Sequence, residues 1–191
     1  MNSKKEWIDM SRGVPPVELL PQEKVKKCAI DVLEKYGEKL LQYHSDLSRT
    51  VQGFNPLLEL LADQMGEEGD PENILVGNGS LDVFDILVNA LTEEGDDVLV
   101  EEPSYDRAIT TLKRAGTKVT GIPVEKDGVK IEELENVVKE KDIKLMYIVA
   151  DFQNPSGATT SEEKRKKITD LAEEYGFWII EDSPYYKLRY K

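Results

Sequence analysis

The sequence has 191 residues, 39% of them apolar, and this is enough to bury a substantial hydrophobic core. Aspartate and glutamate number 38 against 25 lysines and arginines, a net charge of −13, so nucleic acid or an anionic membrane surface would be repelled. No segment approaches the roughly 18 consecutive apolar residues of a membrane-spanning helix, and the N-terminus lacks the apolar stretch of a signal peptide, so we expect a cytoplasmic protein without nucleic-acid or membrane partners.

The first 50 residues differ in pattern from the remainder. The run Gly13-Val14-Pro15-Pro16 is typical of an extended arm, and Pro21 predicts the start of a helix that runs towards Tyr36. The single cysteine, Cys28, lies in this helix and is predicted to be a buried structural thiol. We therefore predict an N-terminal arm and small-domain segment over residues 1–50, and the N-terminal part of a larger domain over residues 51–191.

Strands and helices alternate along that larger part, after a predicted helix near Leu57–Met65. Short apolar runs predict strands at Ile74–Val76, Val98–Val100, Lys118–Thr120, Leu145–Val149 and Phe177–Ile180. Helices are predicted between them at Leu81–Leu91, Asp106–Ala115, Ile131–Lys139 and Ser161–Tyr175. This alternation predicts right-handed crossovers and a three-layer αβα fold with a mostly parallel sheet, whose ligand crevice lies at the carboxyl ends of the strands.

Polar side chains follow two of these strands. Asn154, restricted by the proline after it, follows the Leu145–Val149 run, and Asp182 and Tyr185 follow the Phe177–Ile180 run. A carboxylate beside a ring nitrogen keeps that nitrogen protonated, and a phenol and an amide can both donate to a phenolic oxygen. The trio suits an aromatic cofactor that carries both groups, although an aspartate that caps a turn is the alternative for Asp182 alone.

Two further segments end at the same crevice. Gly79, Ser80 and Leu81 open a helix after a strand, so their free N–H groups and the helix dipole could hold a phosphate; plain turn chemistry is the alternative. Asp82 in the first turn is expected to point away from such an anion. Tyr105 follows Glu-Glu-Pro-Ser, and its ring could lie on a planar ligand or pack beneath a loop.

Together these motifs resemble the fold-type-I pyridoxal-phosphate enzymes, specifically the class I and II aminotransferases, over nearly the whole chain. The resemblance implies a pyridoxal 5'-phosphate site in an incomplete cofactor-binding large domain. Tyr43 resembles the tyrosine that reaches across the family's homodimer to the neighbour's cofactor phosphate, and Gly13 resembles the glycine of the arm that closes over the substrate. The other implied cofactor-binding residues are Gly79, Ser80, Leu81, Tyr105, Asn154, Asp182 and Tyr185.

The family transfers an amino group between an α-amino acid and a 2-oxo acid, and its Schiff-base lysine moves the proton. The sequence ends at Lys191, before the segment that holds this lysine in the family. We therefore expect no catalytic residue among these 191 residues and no activity from the chain alone. A complementary C-terminal half is a candidate partner. The last two strands of the family's sheet are missing too. We therefore expect the strand at 74–77 to lack neighbours and the strand at 145–149 to expose an unpaired edge.

Three alternatives accompany this interpretation. A lyase or decarboxylase could use the same fold, because the cofactor assists every bond cleavage at the α-carbon. A non-catalytic cofactor-binding module, such as the effector domain of a transcriptional regulator, is disfavoured because no basic helix-turn-helix precedes Gly13. A dinucleotide-binding domain would need a glycine at Asp82. The lone His44 has no partner cluster, so no metal site is predicted.

Overall fold

The computed structural model describes residues 13, 15–42 and 52–188. The chain divides into two compact units, Met1–Leu75 and Val76–Lys191, while a domain boundary near residue 50 stays a prediction. The helix predicted from Pro21 is confirmed, because Pro21 is the N-cap of the first α-helix. The elements of the first unit are the 3-10 helix Val17–Leu19, α1 (Gln22–Leu41), α2 (Asn55–Met65), and the 3-10 helices Gly66–Glu68 and Pro71–Asn73.

Helix α1 is exposed along most of its length. None of its residues is buried, and Gly37 interrupts the helical geometry with a φ of 29°. Near this point the ring of Tyr36 meets that of Phe54 edge-on, with centroids 5.1 Å apart. Cys28 is exposed, so the prediction of a buried thiol is wrong. The physical reason is that apolar residues of α1 such as Leu33 also stay in solvent, and a helical apolar pattern is buried only where another element covers it.

The second unit contains the alternating elements. Its α-helices match the predicted segments to within a residue or so, and four of the five predicted strands are present. Among the described residues, no helix is both long and apolar enough to cross a membrane. The elements are α3 (Ser80–Leu91), β1 (Asp97–Glu102), α4 (Asp106–Arg114), β2 (Lys118–Glu125), β3 (Gly128–Val129), α5 (Ile131–Glu140), β4 (Ile143–Ile148), α6 (Glu162–Tyr175), β5 (Trp178–Glu181) and the 3-10 helix Tyr186–Leu188.

The five strands form one sheet in the order β3-β2-β1-β4-β5. Four of them are parallel, and the short β3 pairs antiparallel with β2. The predicted mostly parallel sheet is thus confirmed, whereas β3 was not predicted. It arises because the chain turns back at Gly128, whose φ of 113° favours glycine.

Side chains of the central strands alternate between two cores, as a sheet covered on both faces requires. One face packs against α3 and α4, the other against α5 and α6, which makes the three predicted layers. Burying each such side chain contributes about 1.5–3 kcal/mol. The first core includes Phe84, Val88, Val98, Val100, Leu112, Leu145 and Tyr147, and the second includes Leu99, Ile122, Leu134, Val138, Met146, Ile148, Ile168 and Leu171.

Two predictions about the sheet are wrong. Residues 74–77 form no strand, because a strand needs a neighbour for its N–H and C=O groups and no described segment pairs with this run. Strand β4 exposes no edge, since it pairs with β1 on one side and β5 on the other. The edge falls instead on β5, which among the described residues pairs only with β4, and its Trp178 is 61% exposed.

An exposed apolar edge strand favours pairing with another chain. We expect Trp178→Lys to lower the self-association of the purified chain, measured by light scattering after size exclusion, with an unchanged far-ultraviolet circular dichroism spectrum. Leu60→Lys is the matched control, because Leu60 on α2 is also 61% exposed but lies outside the sheet. An equal effect of both substitutions would show that surface apolarity in general, and not the β5 edge, drives the association.

Candidate functional site

The carboxyl ends of β4 and β5 lie side by side. Ile148 is opposite Glu181 in the parallel register, and the Asp182 N–H donates to the Ile148 carbonyl at 2.9 Å. The segments that follow both strands therefore enter one crevice, as expected for the carboxyl edge of a parallel sheet. This crevice is the place where the sequence predicts a ligand.

A cavity of about 180 Å³ opens at this edge. Five residues that the sequence singles out line it together, although they come from four separate segments of the chain. A smaller cavity beside it, about 40 Å³, is lined in part by Leu81. The residues that line the larger cavity are Ser80, Tyr105, Tyr147, Val149, Asn154, Asp182, Pro184 and Tyr185.

The start of α3 borders this cavity. Gly79 is its N-cap with a φ of 108°, which favours glycine, and no side chain caps the helix. The first N–H groups of α3 are consequently available to an anion at the positive end of the helix dipole. Asp82 is exposed and does not line the cavity, in line with the expectation that it points away from it.

Tyr147 is a residue of this site that the sequence analysis missed. Its hydroxyl donates to Asp182 Oδ2 at 2.8 Å, and its ring is buried against Phe84 with centroids 4.9 Å apart. Burial first, and then the Asp182 carboxylate, raise the pKa of the Tyr147 hydroxyl above its ordinary value, so it remains a donor. The strand alternation places Tyr147 on the same face as Val149, which also lines the cavity, but the sequence alone carries no signal for the hydrogen bond of Tyr147 to Asp182.

The turn that carries Asn154 is held by hydrogen bonds from the neighbouring buried Gln153. The Gln153 Nε2 donates to the Pro103 carbonyl at 2.7 Å, and its Oε1 accepts from the Ser156 N–H at 2.8 Å. On the other side, Arg165 of α6 donates to the Ala150 carbonyl at 3.1 Å. These contacts fix the loop after β4 to the loop after β1 and to α6, so Asn154 has a rigid support.

Glu101 places a carboxyl group in the interior just beneath this edge. It is 1% exposed, and its Oε2 accepts from the Val149 N–H at 2.9 Å. Burial raises the pKa of the Glu101 carboxyl to about 7, although the Val149 N–H and the Gln153 side chain favour the ionised form. At neutral pH, therefore, only a fraction of the Glu101 side chains is ionised.

The remaining predicted residues, Gly13 and Tyr43, belong to the first unit. Gly13 is exposed, and a Cβ added at this glycine would have no other atom within 4 Å. Tyr43 and His44 lie outside the described residues. Within the described residues, no group of three or more acidic, histidine or cysteine side chains could hold a metal ion.

Comparison with known proteins identifies the family to which this chain belongs. The sequence matches "Aminotransferase class I and II" over residues 5–191. It is 34% identical to the aromatic-amino-acid aminotransferase 1 of Thermococcus litoralis, over 96% of this chain and 45% of that protein. It superposes on the kynurenine aminotransferase of Pyrococcus horikoshii, solved in complex with PMP, with a TM-score of 0.84 and 34% identity, over 94% of this chain and 45% of that one.

The chain therefore belongs to the class I and II aminotransferase family, and it has the large-domain fold of that family. It spans about 45% of the length of the aminotransferases it matches. The same part of the sequence is also 30% identical to YdcR of Escherichia coli, described as an uncharacterized HTH-type transcriptional regulator, over 95% of this chain and 38% of that protein.

The buried carboxyl group gives a pH-dependent prediction. The pKa of Glu101 rises from its ordinary 4.5 to about 7 on folding, so the folded state holds the proton more tightly and the free energy of unfolding falls as pH rises between these values. The measurement is the free energy of unfolding in urea, for wild type and for Glu101→Gln, at pH 5 and at pH 8. We expect the variant's free energy of unfolding, taken relative to wild type, to be about 2–3 kcal/mol higher at pH 8 than at pH 5.

The matched control is Glu102→Gln, because Glu102 is the exposed neighbour on the same strand. Its stability difference from wild type should be the same at both pH values. A Glu101→Gln difference that does not grow with pH would mean that Glu101 stays ionised in the folded state.

Proposed function

We propose that the chain is the N-terminal part of a pyridoxal-phosphate-dependent aminotransferase that moves an amino group between an α-amino acid and a 2-oxo acid. The observation that carries the proposal is the cavity at the carboxyl edge of the sheet, where Asp182, Asn154, Tyr185, Tyr105 and Ser80 converge. Each of these side chains has the chemistry that one part of the cofactor requires.

The residues present fit that cofactor. A cavity of about 150 Å³ holds one benzene ring, so the volume near 180 Å³ suits a single aromatic ring with its phosphate at the mouth. The uncapped N-terminus of α3 would hold the phosphate through the N–H groups of Ser80 and Leu81. Tyr105 lines both cavities, where its ring can lie on the pyridine ring.

The polar side chains would hold the cofactor ring by its edges. Asp182 would accept from the ring N–H, while Asn154 and Tyr185 would donate to the phenolic oxygen. The bound cofactor supplies an electron sink for the substrate α-carbon. The contribution of this chain is to bind and orient that ring, and to keep its nitrogen protonated with the Asp182 carboxylate.

We further propose that the chain does not transaminate by itself. Among the described residues no lysine lines the cavity, and Lys187, the described lysine nearest in sequence to Tyr185, is exposed. Activity would need the complementary C-terminal part. A homodimer with Tyr43 at the neighbour's phosphate, a substrate role for Gly13, and a cytoplasmic location remain predictions within this proposal.

A second candidate function is the effector domain of a regulator, and the similarity to YdcR favours it over other non-catalytic roles. Such a domain would bind the same cofactor at the same cavity. A lyase or decarboxylase on this fold would do so too, since the side chains around the ring serve each bond cleavage equally. Assays of the complete protein with amino-acid and 2-oxo-acid pairs, with amino acid alone and with DNA would separate the three.

The proposed site can be tested with pyridoxamine 5'-phosphate, which needs no lysine for its attachment. We expect the purified chain to bind it, and Asp182→Asn to weaken binding about tenfold or more, because a hydrogen bond between charged partners contributes about 1.5–3 kcal/mol. Calorimetric titration measures both affinities. Asp170→Asn on exposed α6 is the matched control, and an equal loss in both variants would contradict the site.

Whether this chain contains a Schiff-base lysine can be tested by mass spectrometry. After borohydride reduction with pyridoxal phosphate, we expect the intact mass spectrum of the 191-residue chain to lack a stoichiometric cofactor adduct. A complementary polypeptide that co-purifies should carry that adduct instead. A single, stoichiometric adduct mapped to one lysine of this chain would contradict the assignment and would give the chain its own covalent attachment.

A further inference from the structure

We propose that Tyr147 is the positioning residue for Asp182, and that its hydroxyl fixes which carboxylate oxygen faces the ring nitrogen of the bound cofactor. The inference rests on the proposed function and adds a residue to it. Asp182 directly follows the end of β5, and its N–H is bound to the Ile148 carbonyl, but this backbone hydrogen bond gives the side chain itself no support. The hydrogen bond from Tyr147 supplies that support from the neighbouring strand.

The hydroxyl of Tyr147 is held in a fixed place by the core. Tyr147 lies inside β4 with 2% of its surface exposed, between strands β1 and β5, and its ring packs against Phe84 of α3. A ring held on its strand and by its neighbour has few positions open to it. Its hydroxyl oxygen is 2.8 Å from Asp182 Oδ2, so the carboxylate is bound to an immobile donor.

The chemistry of the pair sets the direction of the hydrogen bond. An ionised carboxylate only accepts, so the tyrosine donates, and Oδ2 is engaged by it. Oδ1 is then the oxygen left for a donor in the cavity that both residues line. A carboxylate oriented in advance binds a ligand N–H without the entropy cost of ordering its side chain at that moment.

Tyr147→Phe separates this role from a purely structural one. The variant keeps the ring and its contact with Phe84 but removes the donor to Asp182. A structural tyrosine predicts a change in stability alone. A positioning tyrosine predicts weaker cofactor binding and a lower pKa of the ring nitrogen, because a freely rotating carboxylate stabilises the protonated nitrogen less.

The experiment is a double-mutant cycle on the 191-residue chain with pyridoxamine 5'-phosphate labelled with ¹⁵N in the ring. The dissociation constant and the pH dependence of the ring ¹⁵N shift are measured for wild type, Tyr147→Phe, Asp182→Asn and the double variant. We expect Tyr147→Phe to weaken binding about threefold to tenfold and to lower the ring-nitrogen pKa. The double variant should equal Asp182→Asn, because Tyr147 acts through Asp182.

Tyr175→Phe is the matched control, since it removes a hydroxyl from a half-buried tyrosine packed on the other core, and it should change neither readout. Wild-type affinity and ring-nitrogen pKa in Tyr147→Phe would overturn the inference while leaving the proposed function intact. The inference would also be overturned if Tyr147→Phe weakened binding by the same factor in the wild-type chain and in the Asp182→Asn variant. Failure of the wild-type chain to bind would overturn the proposed function, and this inference with it.

A second measurement needs no substitution at Tyr147. With ¹³C-labelled tyrosine, the Cζ resonance of Tyr147 reports the hydrogen bond of its hydroxyl. It should shift when pyridoxamine 5'-phosphate binds to wild type and should not respond in Asp182→Asn. A response of the same size in both proteins would mean that the tyrosine senses the ligand without Asp182, which contradicts a positioning role.

Discussion

The parallel register of β4 and β5 is the constraint on which the candidate site depends. With Ile148 opposite Glu181, both strands end at the same level, and Asp182 begins its loop from a hydrogen bond to β4. A slip of one residue would turn every side chain of β5 to the other face of the sheet. It would also take Asp182 away from the Tyr147 hydroxyl, because these residues meet only through this pairing.

Most elements of the second unit could be predicted because they carry their own local signals, whereas β3 does not. Strands β1 and β4 are apolar runs bounded by polar residues, and Ser161 is the N-cap of α6, where its side chain accepts from the Lys164 N–H. The run Ile74–Val76 has the same composition and forms no strand. Composition measures the preference for an extended backbone, whereas a strand exists only when a neighbour supplies hydrogen bonds, and no local pattern reports that.

Some residues of the candidate site could likewise be predicted from local sequence signals, and others could not. Tyr105 and Asn154 follow strand ends within short motifs, so their convergence could be predicted from topology alone. Tyr147 could not, because a tyrosine within an apolar strand has the pattern of a core residue, and its partner lies 35 residues further along the chain. Glu101 is similar: the Val149 N–H and the Gln153 side chain, which act on its carboxyl group, come from the segment after β4.

Under the proposed function, cofactor binding and proton transfer reside in different parts of the protein. Asp182, Tyr105 and Ser80 act by being in place, as a fixed charge, a ring surface and the first turn of a helix. A general base must instead reach the proton of the substrate and change its own charge during the reaction. Groups of the first kind keep their effect when a base is absent, since preorganised dipoles and charges need no further movement. Under this proposal the residues of this chain would contribute to the affinity for the cofactor, whereas the rate would depend on the residues that supply the base.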